Sequence, residues 1–236
     1  MERFLLGLLL GLISVGSGTP AWSPILVSAT AEAEALQPPL EADELERLAV
    51  AATHRVFAFG CATSSNTGTA VAVADGELLT SRHVVAGALL INVAGDTGPT
   101  AIAHARVHPT HDLALLRVPP TGGTVLGLAM ADPEPGDSML VSGFVHDELS
   151  LTIETATVLD YADGATRGHD GPVMQLDLVV PEGMSGAPVI DDRGRLAGLV
   201  YAVEDPPGIT LAIPVSALGQ AVSEQTQAFL PDTRCL

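Results

Sequence analysis

The segment TAVAVADGELLTSRHVVAG, residues 69–87, decides the expected fold. Small and branched apolar residues fill positions 69–74 and 77–80, and the Asp75-Gly76 pair between them is typical of a two-residue hairpin turn. The segment therefore predicts two antiparallel strands. Ser81 and Arg82 follow the second strand, and the turn then presents a single histidine, His83.

Similar short apolar runs recur along most of the chain and are separated by turn residues. They occupy residues 56–59, 69–74, 77–80, 89–93, 113–118, 138–144, 151–159, 173–179, 188–190, 196–201 and 210–213. Many short strands at this spacing predict an all-β protein, built as antiparallel barrels or as a sandwich. Helices are expected only at Leu40–Ala52 and Pro214–Phe229, where apolar residues share one face.

The composition narrows the class of partner. The 236 residues contain 28 Asp and Glu against 10 basic residues, all of them Arg, which gives a formal net charge of −18. Such a surface repels phosphate backbones and anionic lipid headgroups, so nucleic acid is not an expected partner. Aromatic residues make up only 3% of the chain, so we expect a core of Ala, Val, Leu and Ile.

The first 30 residues have the pattern of an export signal. Arg3 precedes an apolar run, Phe4–Val15, that is short for a membrane span and is followed by small residues typical of a cleavage site. Residues 1–30 are therefore expected to be a signal peptide or an uncleaved signal anchor, and the pattern leaves both open. Residues 31–53 are expected to form a linker with a short helix, before an exported domain in residues 54–236.

The chain has two cysteines, Cys61 near the start of the expected domain and Cys235 at its end. In an oxidising compartment such a pair predicts one disulfide that ties the C-terminus to an early strand. Two unrelated thiols are the alternative. Neither cysteine lies in a motif that would activate it as a nucleophile.

Three segments carry the side chains of a nucleophilic hydrolase, in the order His, Asp, Ser. After His83 comes Asp112, directly before the apolar strand 113–118, and then Ser185 in the segment Gly183–Pro188. A serine hydroxyl is a weak nucleophile until an imidazole accepts its proton, and the imidazole needs a carboxylate to hold its tautomer. The glycine two residues before the serine lets the N–H groups of Gly183 and Ser185 point at one oxyanion. We therefore predict a catalytic triad and an oxyanion hole.

Three other interpretations compete with the triad. The spacing of His104, His108 and His111 suggests a metal site, but Pro109 interrupts it and the segment leads into a strand, so a turn is the better interpretation. An α/β-hydrolase has the order Ser, acid, His and a Gly-x-Ser-x-Gly motif, which this chain lacks. A peptide-binding module that no longer cleaves is the third, but such a module has no need of all three triad residues. No metal or cofactor is expected.

Five segments resemble the trypsin/chymotrypsin family of serine proteases (clan PA), in particular its bacterial HtrA-type and glutamyl-endopeptidase-type members. These segments are Leu79–Val85, His111–Leu116, Gly183–Pro188, Thr67–Ala72 and Thr210–Val215. The two cysteines are placed in a way similar to the single-disulfide periplasmic proteases of actinobacteria.

The resemblance implies two antiparallel six-stranded β-barrels with the active site in the cleft between them. The first barrel is expected in residues 54–132, the second in 133–214, and a C-terminal helix and tail in 215–236. His83 and Asp112 would belong to the first barrel, and Ser185 with the oxyanion donors to the second. Protein or peptide substrates and a monomeric chain are also implied.

Two positions depart from the family pattern. Met184 stands where trypsin and its zymogen relatives have an aspartate before the nucleophile, so activation by a salt bridge from a new N-terminus is not expected. Arg82 replaces the small residue usual before the histidine, and the sequence offers no physical reason for it.

The same alignment assigns Val179, Tyr201 and Val203 to the specificity pocket. None of these is acidic, so the pocket is expected to accept a small or apolar side chain before the cleaved bond. Asp177 and Glu182 lie close in sequence and leave a basic preference open.

Overall fold

The computed structural model describes residues 38–60, 65–95, 98–102, 104–120, 122–146, 150–164, 169–204, 208–223 and 227–228. The helices are α1 (Ala42–Ala52), α2 (Arg82–Val85) and α3 (Val215–Ser223). The strands are β1 (Thr53–Phe59), β2 (Ser65–Ala74), β3 (Glu77–Thr80), β4 (Leu90–Gly95), β5 (Gly98–Ile102), β6 (His104–Val107), β7 (Ala114–Arg117), β8 (Ser138–Phe144), β9 (Leu151–Asp163), β10 (Pro172–Leu176), β11 (Pro188–Ile190), β12 (Leu196–Glu204), β13 (Ile209–Pro214) and β14 (Gln227–Ala228).

The strands form two antiparallel units, which confirms the predicted all-β, chymotrypsin-like fold class. Strands β8 to β13 close into a six-stranded barrel in the order β10-β13-β12-β11-β8-β9. The remaining strands form one eight-stranded, half-barrel sheet in the order β14-β6-β7-β3-β2-β1-β4-β5. All the predicted apolar runs are strands, whereas β5, β6 and β14 have no continuous apolar run and were not predicted.

The core consists of three apolar clusters, and one of them belongs to both units. The cluster inside the first sheet includes Val56, Val84 and Leu116, and the cluster inside the closed barrel includes Met184 and Val189. The third cluster joins residues of β2, β3 and β7 to residues of α1, β10 to β13 and α3. Because this shared cluster buries both units against each other, side chains on either side of the junction keep a fixed relation.

Helix α1, predicted within the linker, packs into this shared core. Ala49 and Ala52 on its inner face are fully buried. The Leu40 N–H donates to the Asp192 carbonyl over 2.8 Å, and a Cβ added at Gly194 would lie 2.3 Å from the Leu48 side chain. The helix is therefore part of the folded body and covers the β11–β12 turn.

The C-terminal helix is shorter than predicted. It ends at Ser223, and Gln227–Ala228 return as β14, which pairs antiparallel with β6 opposite Val107 and Arg106. The prediction of a helix through Phe229 was therefore wrong at that end. Cys61, Cys235 and the predicted export signal lie outside the described residues.

Across the described segments, no helix combines the length and the apolar character needed to span a bilayer.

Candidate active site

His83 and Asp112 meet because their segments leave neighbouring strands at the same end. β3 pairs antiparallel with β7, with Thr80 opposite Ala114, so the residues after β3 lie beside those before β7. His83 Nδ1 lies 2.5 Å from Asp112 Oδ2, and the His83 backbone N–H donates to Asp112 Oδ1 over 2.9 Å. The Asp112 side chain is 5% exposed and that of His83 49%. A buried carboxylate thus orients an imidazole that stays half-exposed.

Arg82, for which the sequence offered no reason, ties these two segments together. Its Nη1 atom donates to the carbonyl oxygens of His108 and Pro109, over 3.0 and 2.9 Å. Within the same turn, the backbone N–H of His111 donates to Nδ1 of His108 over 3.0 Å. Arg82 and His108 therefore hold the turn that delivers Asp112, which agrees with the interpretation of these histidines as turn residues.

The loop that carries Ser185 is bound through its backbone to β2 of the first sheet and to β12 of the closed barrel. The Thr69 N–H donates to the Ser185 carbonyl over 2.8 Å, and the Gly186 N–H donates to the Val200 carbonyl over 2.7 Å. A Cβ added at Gly68 would lie 2.6 Å from the Val84 side chain and 3.1 Å from the Ser185 carbonyl oxygen. The serine loop and the helical turn that bears His83 therefore approach each other across Gly68.

Thr69 is a residue of this site that the sequence interpretation missed. Its fully buried hydroxyl donates to the Gly183 carbonyl over 3.0 Å and accepts from the Phe144 N–H over 3.0 Å. Its carbonyl accepts from the Thr80 hydroxyl over 2.6 Å. One side chain of the first sheet thus binds both the serine loop and the end of β8 in the second barrel. A single Thr in an apolar strand carries no sequence signal of that role.

The peptide between Glu182 and Gly183 has a fixed orientation. The His146 N–H donates to the Glu182 carbonyl over 2.8 Å. Because the N–H and C=O of a trans peptide point in opposite directions, the Gly183 N–H points away from His146. Within the described part of the chain, neither this N–H nor that of Ser185 donates to a partner. Two neighbouring N–H groups without a partner inside the protein are what an oxyanion hole requires.

Met184 has a structural role at the position where trypsin and its zymogen relatives have an aspartate. Its side chain is fully buried in the core of the closed barrel, where its Cγ and Cε atoms lie close to Gly143. An ionised carboxylate would be unfavourable in this apolar site without a cation. The loop between Gly183 and Ser185 is therefore anchored by an apolar side chain.

A row of buried rings runs between the two units beside Asp112. The ring centroids of His108 and His111 are 4.4 Å apart, those of His111 and His169 4.8 Å, and those of His169 and Tyr201 5.6 Å. The first two residues belong to the turn before β7, and the last two to the second unit. Burial, followed by the charge of neighbouring His111, lowers the pKa of His169 to about 4. His169 is therefore neutral in the folded protein near pH 7.

This row predicts a loss of stability in mild acid. An unfolded histidine has a pKa of about 6.5, so below that pH the unfolded chain binds a proton that folded His169 accepts only when the pH approaches its own pKa of about 4. The contribution of neutral His169 to stability is therefore complete above about pH 6.5 and is lost as the pH falls toward 4. Across this range we expect the free energy of unfolding to decrease by about 1–3 kcal/mol. Among the neighbouring charged groups, His111 lowers the pKa of His169, whereas Asp112 and Asp170 raise it.

Urea unfolding of the wild type and of His169→Gln between pH 7 and pH 4 measures the effect. We expect the variant to show a smaller change in unfolding free energy across this range than the wild type. Equal changes in the two proteins would exclude His169 as a source of the acid sensitivity.

The three residues predicted for the specificity pocket fall in different environments. Val179 is 59% exposed, and Val203 is half-buried beside the closed barrel's core. Both flank Thr210, which pairs with Val203 and whose hydroxyl accepts from the Val180 N–H. Tyr201 instead lies in the core shared by the two units. It is the extra residue where the β12–β13 register shifts between Val200 and Ala202, and such a bulge redirects a side chain.

The sequence matches a known protein family and several curated proteins. Residues 68–199, more than half of the chain, match the family described as Trypsin-like peptidase domain. Serine protease HTRA1B of Danio rerio is 30% identical over 196 residues, which cover 78% of this chain and 40% of that protein. Magnetosome formation protease MamE of Paramagnetospirillum magneticum is 27% identical over 245 residues, which cover 92% of this chain and 31% of that protein. The chain thus spans less than half the length of these curated relatives.

Solved structures have the same fold. The active form of the Rv3671c protease from M. tuberculosis superposes with a TM-score of 0.71 at 19% identity, covering 83% of this chain and 90% of that chain. The HtrA-type protease AlgW with a tripeptide has a TM-score of 0.69 at 26% identity, covering 76% of this chain and 62% of that chain. The family match includes the segments of His83, Asp112 and Ser185, and the chain belongs to the trypsin-like family of serine peptidases.

Proposed function

We propose that the chain is a serine endopeptidase that hydrolyses peptide bonds through an acyl-enzyme intermediate. The observation that carries this proposal is the double hydrogen bond from His83 to the buried Asp112 carboxylate. It holds Nδ1 as the donor and leaves Nε2 as the base. Ser185 is the nucleophile, and the Gly183 and Ser185 N–H groups form the oxyanion hole.

The reaction proceeds in two steps. In the first, His83 Nε2 takes the proton of the Ser185 hydroxyl while Oγ forms a bond to the substrate carbonyl carbon. The C–N bond then breaks, the leaving amine takes the proton from His83, and the acyl group remains on Ser185. In the second step, His83 activates a water that attacks the acyl carbon and releases the acid and the Ser185 hydroxyl. Asp112 stabilises the imidazolium in both steps.

Protein or peptide substrates with a small or apolar side chain before the cleaved bond fit this site best. Val179 and Val203 are apolar and flank Thr210. The nearby carboxylate of Asp177 accepts a hydrogen bond from the Thr157 N–H over 2.5 Å, so it is directed toward β9. AlgW is the protein whose structure holds a tripeptide, which supports a peptide ligand for the same fold here.

The proposed enzyme is exported to the periplasm, the cell envelope or the medium. The apolar run within residues 1–30 supports this, and membrane attachment would come only through that segment if it is not cleaved. The enzyme is also proposed to carry a Cys61–Cys235 disulfide, which would form in such an oxidising compartment. The enzyme is proposed to act as a monomer, with its first unit in residues 54–132, the closed barrel in 133–214 and a helix and tail in 215–236.

Hydrolysis of fluorescein-labelled casein by the full chain, before and after treatment with a fluorophosphonate, tests the proposal. We expect fragments to be released by the untreated protein and none after treatment. A folded protein that binds casein and releases no fragments would instead be the peptide-binding module, and the peptidase proposal would be wrong.

A further inference from the structure

We propose that Arg55 is a positioning residue that holds the oxyanion hole in its active orientation. The inference rests on the proposed peptidase function and concerns the Glu182–Gly183 peptide. Arg55 lies in β1 of the first sheet, whereas the peptide that it controls lies in the second barrel. The connection passes through the segment Phe144–His146, which begins at the last residue of β8.

The Arg55 guanidinium binds the backbone of this segment directly. Its Nη2 atom donates to the His146 carbonyl over 2.5 Å and to the Val145 carbonyl over 3.3 Å. The side chain is almost fully buried, and its Cζ atom lies 4.9 Å from the centroid of the Phe57 ring and 5.9 Å from that of Phe144. A buried cation of this kind is strongly oriented, because its donors lose water and must find carbonyl oxygens.

The same segment then sets the orientation of the oxyanion peptide. The His146 N–H donates to the Glu182 carbonyl, which turns the Gly183 N–H to the opposite side. If the segment moved, this bond would be lost, and the Glu182–Gly183 peptide could rotate so that its carbonyl replaces its N–H in the hole. Arg55 thus acts through two backbone links, from guanidinium to carbonyl and from N–H to carbonyl.

Gly183 is in contact with this segment, so small displacements would be transmitted. A Cβ at Gly183 would lie 2.5 Å from the Phe144 carbonyl oxygen and 2.6 Å from the His146 nitrogen. The Phe144 N–H is also bonded to the Thr69 hydroxyl, which donates to the Gly183 carbonyl. Thr69 therefore holds one side of Gly183, and Arg55, through His146, holds the other.

The experiment measures kcat and KM of the full-length wild type, Arg55→Met and Arg55→Lys on a p-nitrophenyl ester. Met keeps the apolar stem of the side chain and removes its hydrogen-bond donors. We therefore expect kcat to fall about 100-fold, as it does when one oxyanion donor is lost. KM should change less than about threefold. Lys keeps the charge but not the planar fork of donors, so the kcat of Arg55→Lys should lie between those of the wild type and Arg55→Met.

Arg195→Met is the matched control. Arg195 is a partly buried arginine with two contacts to Asp191, over 2.7 and 2.8 Å, at the far β11–β12 turn. This variant is expected to lose stability and to keep the wild-type kcat. It separates a general effect of removing a buried arginine from an effect on the oxyanion hole.

Melting temperature and near-UV circular dichroism establish that each variant is folded. If Arg55→Met does not fold, Arg55→Lys decides the question. A folded Arg55 variant with the wild-type kcat overturns the positioning role alone, and so does a loss that appears equally in Arg195→Met. A wild type without ester hydrolysis overturns the proposed function and the positioning role together.

Discussion

Asp112→Asn is expected to lower kcat about 10⁴-fold, with little change in fold. The carboxylate accepts from both the His83 backbone N–H and the His83 ring Nδ1. An amide can keep one of these bonds, but its NH₂ group would donate to Nδ1 and place the imidazole proton on Nε2. The Nε2 atom proposed as the base would then already carry a proton, and the developing imidazolium would lose its countercharge.

Asp191→Asn is the control for removal of a buried carboxylate. Asp191 is nearly buried and accepts from the Arg193 and Arg195 backbone and from the Arg195 side chain. Casein hydrolysis should persist in this variant while its melting temperature falls. If Asp112→Asn cleaves casein as fast as Asp191→Asn, Asp112 has no part in the reaction.

Gly186→Ala is expected to remove both activity and a large share of the stability. Gly186 has φ of +87°, and a Cβ there would lie 2.0 Å from the Thr69 carbonyl oxygen and 2.6 Å from the Thr80 hydroxyl. The left-handed backbone alone is costly for alanine, and the nearest obstacle is backbone that cannot move aside. We expect a decrease of about 3–5 kcal/mol in the free energy of unfolding.

Gly127→Ala provides the comparison, because a Cβ at Gly127 meets no atom within 4 Å. In urea unfolding, Gly127→Ala should have a free energy of unfolding close to that of the wild type. Gly186→Ala should therefore fall below Gly127→Ala by most of the decrease predicted above. The Gly186 substitution also displaces the Ser185 carbonyl from Thr69, so any folded fraction should hydrolyse casein slowly. A Gly186→Ala protein with wild-type stability would contradict the described contact between the two units.

The strand pattern was predictable because it depends on local sequence. The apolar runs separated by turn residues became strands, and the β3 and β7 segments brought His83 to Asp112. Alternation and turn chemistry act over a few residues, so one sequence suffices to detect them. The strands β5, β6 and β14 escaped detection because their residues carry little apolar signal.

The supporting contacts were not predictable, because they join residues that are far apart in the chain. Arg82, Thr69 and Arg55 act through backbone carbonyls or N–H groups of other segments, which any sequence can provide. The bulge at Tyr201 leaves no mark in an apolar strand, yet it directs that side chain into the shared core. Met184 looked like a missing salt-bridge partner and is instead an apolar anchor.

The most direct test of the central claim is mass-spectrometric mapping of the fluorophosphonate adduct on the full chain. Oriented by Asp112, His83 should activate one serine, so we predict a single adduct on Ser185. We also predict that it is absent from heat-denatured protein and from His83→Ala. An adduct on another serine, or labelling of Ser185 that is unchanged in His83→Ala, would contradict the proposed triad.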